Sequence, residues 1–371
     1  MRDPVILPSG HTYDRSSITE WLDSGHFTCP LTGQKLPRHP PLIPNNALRS
    51  LVSQWCDRQK VPFHLNNAAA GGDDAVKMTA AFLVRKLATG SPHVQTQAAY
   101  ELRLLAKRGT EIRRCIAGAG AIPFLVPLLS SSSDSRAQEN AVTALLNISI
   151  NDNNKALIMA ASGAVDAIVG VVQQGSSMTA RENAAALIFS LSVVDDYKIT
   201  IGAKPAAIPA LVTLLREGNC RGKKDATNAL FSLSGYKKNK DAVLKAGVVG
   251  MLIDLIVERR VEEEGSVSVT ADALALLSLL VGCSEGMDEI MSIGKPVIPA
   301  LVDLVSVGSD RGKENAIAVL TAMYHSGGET MVTRLAESII SPVQMVASTG
   351  TSRSKRKAAS LLKLLTASPA L

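Results

Sequence analysis

Gly120-Ala-Ile-Pro-Phe-Leu-Val-Pro-Leu-Leu129 reads as a short apolar helix, with glycine before it and proline in its first turn. The same pattern returns down the chain. It recurs as Gly163-Ala-Val-Asp-Ala-Ile-Val-Gly-Val-Val172, Ala206-Ala-Ile-Pro-Ala-Leu-Val-Thr-Leu-Leu215 and Gly247-Val-Val-Gly-Met-Leu-Ile-Asp-Leu-Ile256. Pro296-Val-Ile-Pro-Ala-Leu-Val-Asp-Leu-Val305 is a fifth copy, and Ile340-Ser-Pro-Val-Gln-Met-Val346 a weaker sixth. Measured from Ile122 through Val165, Ile208, Val249, Ile298 and Ile340, the steps are 43, 43, 41, 49 and 42 residues. A longer helix is predicted after each copy, over 136–149, 181–192, 223–234, 270–281, 313–324 and 354–365, with Ala and Leu at core spacing. One such pair cannot bury its own apolar face, so neighbours must stack into a solenoid. The long step is read as a charged surface loop around Glu258-Arg-Arg-Val-Glu-Glu-Glu-Gly265.

Upstream of the repeats, 77–87 and 94–107 carry helical apolar spacing. Before them, 57–74 reads as a linker, with Asn66-Asn67, an alanine run and Gly71-Gly72-Asp73-Asp74. The expected organisation is a small domain over 1–56, the linker, and a helical repeat region over 75–371. Composition agrees with packed helices: hydrophobic residues make up 46% of 371 and aromatics only 4%. A net charge of +6 is mild and gives no case for nucleic-acid binding. Five scattered cysteines suit a reducing compartment. No signal peptide and no membrane-length apolar run is visible, so a cytoplasmic or nuclear protein is expected.

The first 56 residues contain Ile18, Trp21 and Leu22 at helical spacing, with Ser16 or Ser17 as N-cap and Gly25 as the stop. A loop with Cys29-Pro30-Leu31 follows, and Leu36, Leu42 and Ile43 supply further apolar anchors. Pro44-Asn45-Asn46 then opens a second helix carrying Leu48, Leu51, Val52 and Trp55. A unit this small usually needs a staple. Cys29 and Cys56 stand apart, and no metal-ligand spacing occurs, so no metal and no cofactor is expected. A polar network among Tyr13, Asp14, Arg15, Ser17 and Asn45 is expected to do the holding.

Three blocks carry a resemblance: Met1-Arg-Asp-Pro-Val-Ile-Leu-Pro-Ser-Gly-His-Thr-Tyr-Asp-Arg-Ser-Ser-Ile-Thr-Glu-Trp-Leu22, Thr28-Cys-Pro-Leu-Thr-Gly33 and Leu42-Ile-Pro-Asn-Asn-Ala-Leu-Arg-Ser-Leu-Val52. Together they resemble a U-box, the zinc-free relative of the RING domain of ubiquitin ligases. The repeats resemble armadillo more than HEAT repeats, and the combination is similar to the plant U-box ligases. The fold class implied is mainly α: a small α+β U-box followed by a right-handed armadillo solenoid.

The resemblance implies an E3 ubiquitin ligase that binds a ubiquitin-loaded E2 and a protein substrate. It implies no covalent enzyme intermediate, because the E2 carries the thioester. The E2 surface it implies comprises Val5, Leu7, Trp21, Pro30 and Leu31. Trp21 also reads as plain core, beside Ile18 and Leu22. Gly33-Gln34-Lys35 stands where some of these ligases place a cation that presses on ubiquitin. A rival reading is a non-catalytic armadillo scaffold. The family ordinarily begins with a Cys-Pro-Ile type loop bearing an apolar E2 contact, and the sequence starts at Met1 within that region.

For the substrate, Arg181, Lys223 and Lys313 fall in one column at the start of the long helices. They are read as a basic stripe for an acidic or phosphorylated segment, or as solvated charge. Asn147 is a groove candidate, but its column continues as Ser190, Ser232, Ser278 and Ala322, so an asparagine ladder is missing. The run Arg353-Ser-Lys-Arg-Lys357 reads as the wet side of the last helix.

Overall fold

A computed structural model describes residues 3–45, 48, 52, 71–130, 134–257, 266–293, 297–328 and 336–367. Two compact units emerge, Met1–Ala75 and Val76–Leu371.

In the first unit, β1 (Pro4–Ile6) lies between β2 (Thr12–Asp14) and β3 (Ile43–Pro44), antiparallel to both. Val5 pairs with Tyr13 on one side and Pro44 on the other. The chain leaves β2 directly into α1 (Arg15–Asp23). The N-cap is Asp14, not Ser16 or Ser17: Asp14 keeps the extended backbone of β2 and the helical turn starts at Arg15, whose amide bonds the Asp3 carbonyl at 2.8 Å. Gly25, at φ +85°, takes the left-handed turn that ends the helix, as its position predicts. The core is small: Val5, Leu7, Ile18 and Leu36, with Tyr13, Trp21, Leu22 and Leu42 packed against it. Ile43 is 56% exposed and is no anchor. Of the second helix, only Leu48 and Val52 are described, both helical; Leu51 and Trp55 lie outside the described residues.

The second unit is an α-solenoid whose period is three helices per repeat, not two. Gly71–Thr89 and Pro92–Ala106 open it, so helix begins inside the stretch read as linker. Each of the next five repeats, through Met323, has a short first helix, such as Asp152–Ala160, then the apolar second helix, such as Ala164–Gln174, then a long third helix. The long helices are Ser135–Ser149, Met178–Leu191, Cys220–Leu233, Ser266–Leu280, Asp310–Met323 and Ser352–Ala367. Each packs on the next, starting from Pro92–Ala106. In the quoted repeat the second helix breaks into Ile122–Leu125 and a 3₁₀ turn, Pro127–Ser130, since Pro127 has no amide to continue the ladder.

The long helices begin one to four residues earlier than the apolar spacing predicts. The cause is capping. Asp134, Ser177, Asn219 and Ser309 each accept from first-turn amides, and these polar caps lie outside the apolar pattern. One hydrophobic cluster runs from Ala80 to Leu365 through every described repeat. The loop expected around Glu258 lies outside the described residues.

Candidate functional site

The second loop of the first unit, residues 26–35, is built to hold its apex still. A Thr28–Lys35 bridge closes its base, and the Leu36 amide bonds the Phe27 carbonyl at 2.9 Å. Inside, Cys29 N donates to Gln34 O and Gly33 N to Cys29 O, both at 2.8 Å. Gly33, at φ +69°, makes this tight turn possible. Tyr13 reaches in from β2: its hydroxyl lies 3.0 Å from Cys29 Sγ and accepts from the Leu31 amide at 3.2 Å. Trp21 Nε1 donates to the Thr28 carbonyl at 2.9 Å. What the loop presents is apolar: Pro30 is exposed and Leu31 is 72% exposed. An ordered, exposed apolar apex on a small unit marks a contact surface.

The expected E2 surface therefore splits. Pro30 and Leu31 are outside, whereas Val5 and Leu7 are 0% and 1% exposed and form the core. This is a correction with a plain cause. Val5 sits on the central strand with a partner on each side and faces α1, so its side chain meets Ile18 and not solvent. Trp21 is half-buried, one side against the core. Phe27 is an exposed apolar residue of this unit that the spacing does not single out, and Ile43, expected as an anchor, is exposed too.

The structural network has a different wiring from the one expected. Asp14 Oδ1 accepts from Ser16 at 3.1 Å, and Arg15 Nε pairs with Asp3 Oδ2 at 2.6 Å. Asn45 donates to Thr12 Oγ1 at 3.0 Å and accepts from the Leu48 amide at 3.0 Å, so it both ties β2 and caps the second helix. Cys29 is buried, which by itself raises a thiol. The Ser9, Thr32 and Tyr13 hydroxyls and the Thr32 amide bring it down to about 6. Burial, then the Cys29 contact, raises the Tyr13 phenol, which keeps its proton available for the sulfur.

On the solenoid, Arg181 of the basic column is turned inward. Arg181 is the fourth residue of its helix, and its Nε donates to the Val172 carbonyl at 2.9 Å. Gln95 and Gln138, in the same register, bond Leu87 O at 2.8 Å and Leu129 O at 2.7 Å. Each thus satisfies an orphan carbonyl at the end of the preceding helix. The Arg181 side chain is 15% exposed and is committed to this tie. Lys223 and Lys313 are half-buried in the same register. Asn147 donates to the Arg103 carbonyl at 3.1 Å, so it too joins neighbouring long helices; Ser232 does the same to Ser192 O at 2.8 Å. Lys357 and Arg353 reach Glu314 at 3.0 and 3.5 Å.

The charged feature that spacing missed is acidic. Neighbouring long helices carry Asn183, Asp225 and Asp272 where Arg221 Nη2 meets Asn183 Oδ1 at 2.6 Å and Arg311 Nη1 meets Asp272 Oδ1 at 2.8 Å. Asp225 follows buried Glu182 in this row, and no hydrogen bond reaches its Oδ2, although Arg221 Nε is 3.5 Å away. Burial raises the Asp225 carboxyl to about 6; Arg221 pulls it down, while Glu182 and Asp272 push it up. A repeat-to-repeat comparison of polar residues next to the recurring alanine stripe is the signal that exposes this row. Exposed apolar side chains on or just after the long helices include Ile150, Phe189 and Val193.

Comparison with known proteins covers both units. The model for the U-box domain matches residues 1–61, and that for the plant U-box protein ARM repeat region matches 74–369. "U-box domain-containing protein 1" of Medicago truncatula is 51% identical over 388 residues, covering 98% of this chain and 54% of that protein. "E3 ubiquitin-protein ligase SPL11" of Oryza sativa subsp. japonica is 48% identical over 158 residues, covering 41% of this chain and 22% of that protein. The chain spans about half the length of the curated relatives it matches along its whole length. Among solved structures, a designed armadillo repeat protein superposes with a TM-score of 0.56 at 24% identity, covering 66% of this chain and 99% of that one. That likeness shows the armadillo fold.

Proposed function

Because the chain belongs to the plant U-box proteins with an armadillo-repeat region, we propose that it is an E3 ubiquitin-protein ligase. The first unit recruits a ubiquitin-loaded E2 and the solenoid holds the protein substrate. The observation that carries this reading is the loop apex: two exposed apolar residues, Pro30 and Leu31, on a loop tied down by Tyr13 and Trp21.

The chemistry belongs to the E2. A substrate lysine amine attacks the E2–ubiquitin thioester carbonyl, the C–S bond breaks, the E2 thiolate leaves, and the amine proton passes to solvent. The ligase contributes proximity and orientation. It forms no covalent intermediate: Cys29, the cysteine of the loop itself, is 1% exposed and closed in by hydroxyls. The substrate engages the exposed faces of the long helices. The inward ties of Arg181 and Asn147 speak against a purely basic groove for an acidic or phosphorylated segment.

The test is autoubiquitination with E1, a promiscuous E2 and ATP. Pro30→Ala is expected to abolish chain formation and leave the melting temperature unchanged. Full activity in Pro30→Ala and in Leu31→Ala would remove the E2 surface and favour the armadillo scaffold.

A further inference from the structure

A stacked pair, exposed His26 on half-buried Trp21, braces the near side of the loop. The His26 imidazole stacks on the Trp21 indole, with centroids 4.0 Å apart and planes 21° apart. The two are also joined through the backbone, His26 N to Trp21 O at 3.3 Å. Gly25 makes the encounter possible, because its φ of +85° folds the chain straight back over the end of α1. The indole then donates to Thr28, two residues short of the apex.

His26 is exposed and takes no part in the buried core, which is complete without it. Its effect is on Trp21. The core covers one side of the indole and the imidazole lies over a ring face, so the indole is held in one orientation. In that orientation Nε1 donates to the Thr28 carbonyl. The apex thus has two supports, Tyr13 from β2 and the His26–Trp21 pair from α1.

We propose that His26 is a positioning residue for E2 recruitment. By stacking on Trp21 it fixes the indole that ties Thr28, and so presets the loop that offers Pro30 and Leu31. The inference rests on the E2-binding reading above. A loop already ordered loses less freedom on binding, so the brace acts on affinity and not on the transfer step. An aromatic pair of this kind corresponds to roughly a two- to tenfold change in affinity.

The experiment uses the full chain and varies the concentration of ubiquitin-loaded E2, reading KM and kcat of autoubiquitination for wild type, His26→Ala, His26→Phe and Pro30→Ala. His26→Ala is expected to raise KM about fivefold with kcat within about twofold and the melting temperature unchanged. His26→Phe, which keeps a ring over the indole, is expected to return KM to within about twofold of wild type. An unchanged KM in His26→Ala, with transfer lost in Pro30→Ala, overturns the positioning role and leaves the E2 surface standing. A His26→Phe variant as weak as His26→Ala overturns stacking as the cause. An effect that tracks a fall in melting temperature makes His26 merely structural. If none of the variants, Pro30→Ala included, alters transfer, the E2 reading fails and takes this proposal with it.

Discussion

The two units solve the same burial problem in opposite ways. The first, among its described residues, closes a core of four buried apolar side chains and relies on single polar ties to shape its loop. The second runs one apolar cluster from Ala80 to Leu365 and makes the same helix-to-helix tie in three successive long helices, through Gln95, Gln138 and Arg181. The lesson is about where damage goes. In the small unit a lost side chain is felt everywhere, because each is a large share of the whole. In the solenoid it is felt mainly by the neighbouring repeats.

The sharpest way to break that contrast is a matched pair of core truncations. Ile18→Ala and Leu230→Ala each remove a fully buried side chain and cost about 3 kcal/mol at their site. Ile18→Ala is expected to abolish autoubiquitination and the ordered signals of the first unit, leaving the main melting transition in place. Leu230→Ala is expected to lower that transition while transfer survives. Equal loss of activity in both would mean the units do not respond separately.

A smaller effect is expected from the acidic row. The folded chain keeps the Asp225 proton up to about pH 6, whereas the ordinary value is 3.8. Between those values folding takes up a proton at Asp225, so this group's contribution to stability is greatest at low pH and falls as pH rises through 6. Asp225→Asn removes the charge and matches Asn183 in the preceding repeat. It is expected to stabilise the solenoid by about 2 kcal/mol at pH 7.5 and by much less at pH 4.5. Melting curves at the two pH values check this, and a variant that stays pH-sensitive like wild type would assign the slope to other groups.

In the first unit, Tyr13→Phe takes away the hydroxyl between Leu31 N and Cys29 Sγ. The expected cost is about 1 kcal/mol, with faster amide exchange at Leu31 and weaker E2 binding. Least of all is expected from Arg181→Gln, within about 0.5 kcal/mol, because glutamine already makes this tie in two other repeats. Substrate binding should be unchanged and should show the same salt dependence. A loss of affinity that disappears at high salt would restore Arg181 to the groove.

The repeat number, the helical class and the loop apex are legible in the amino-acid sequence by itself. Stacked repeats must present an apolar stripe at a fixed period, and that stripe is written in residue type alone. Cys29-Pro30-Leu31 is legible as a loop between two apolar stretches, with Pro30 and Leu31 at its apex. Tertiary structure decides the direction of individual side chains. The resemblance puts Val5 and Leu7 on the surface, and a strand of three residues, Pro4–Ile6, has no period long enough to show instead that they pack with Ile18 in the core. Arg181 reads as groove charge because spacing locates a residue along a helix but does not say which carbonyl lies within its reach. The first short helix of each repeat is hidden for a related reason: its buried positions are few, and several are polar, such as Asn154 and Asn239, which bond the preceding repeat. His26 and Trp21 are five residues apart, and only the fold-back at Gly25 makes them neighbours. Periodic burial is determined locally and survives in sequence; the partner of a polar or aromatic group is chosen by what the chain brings back to it.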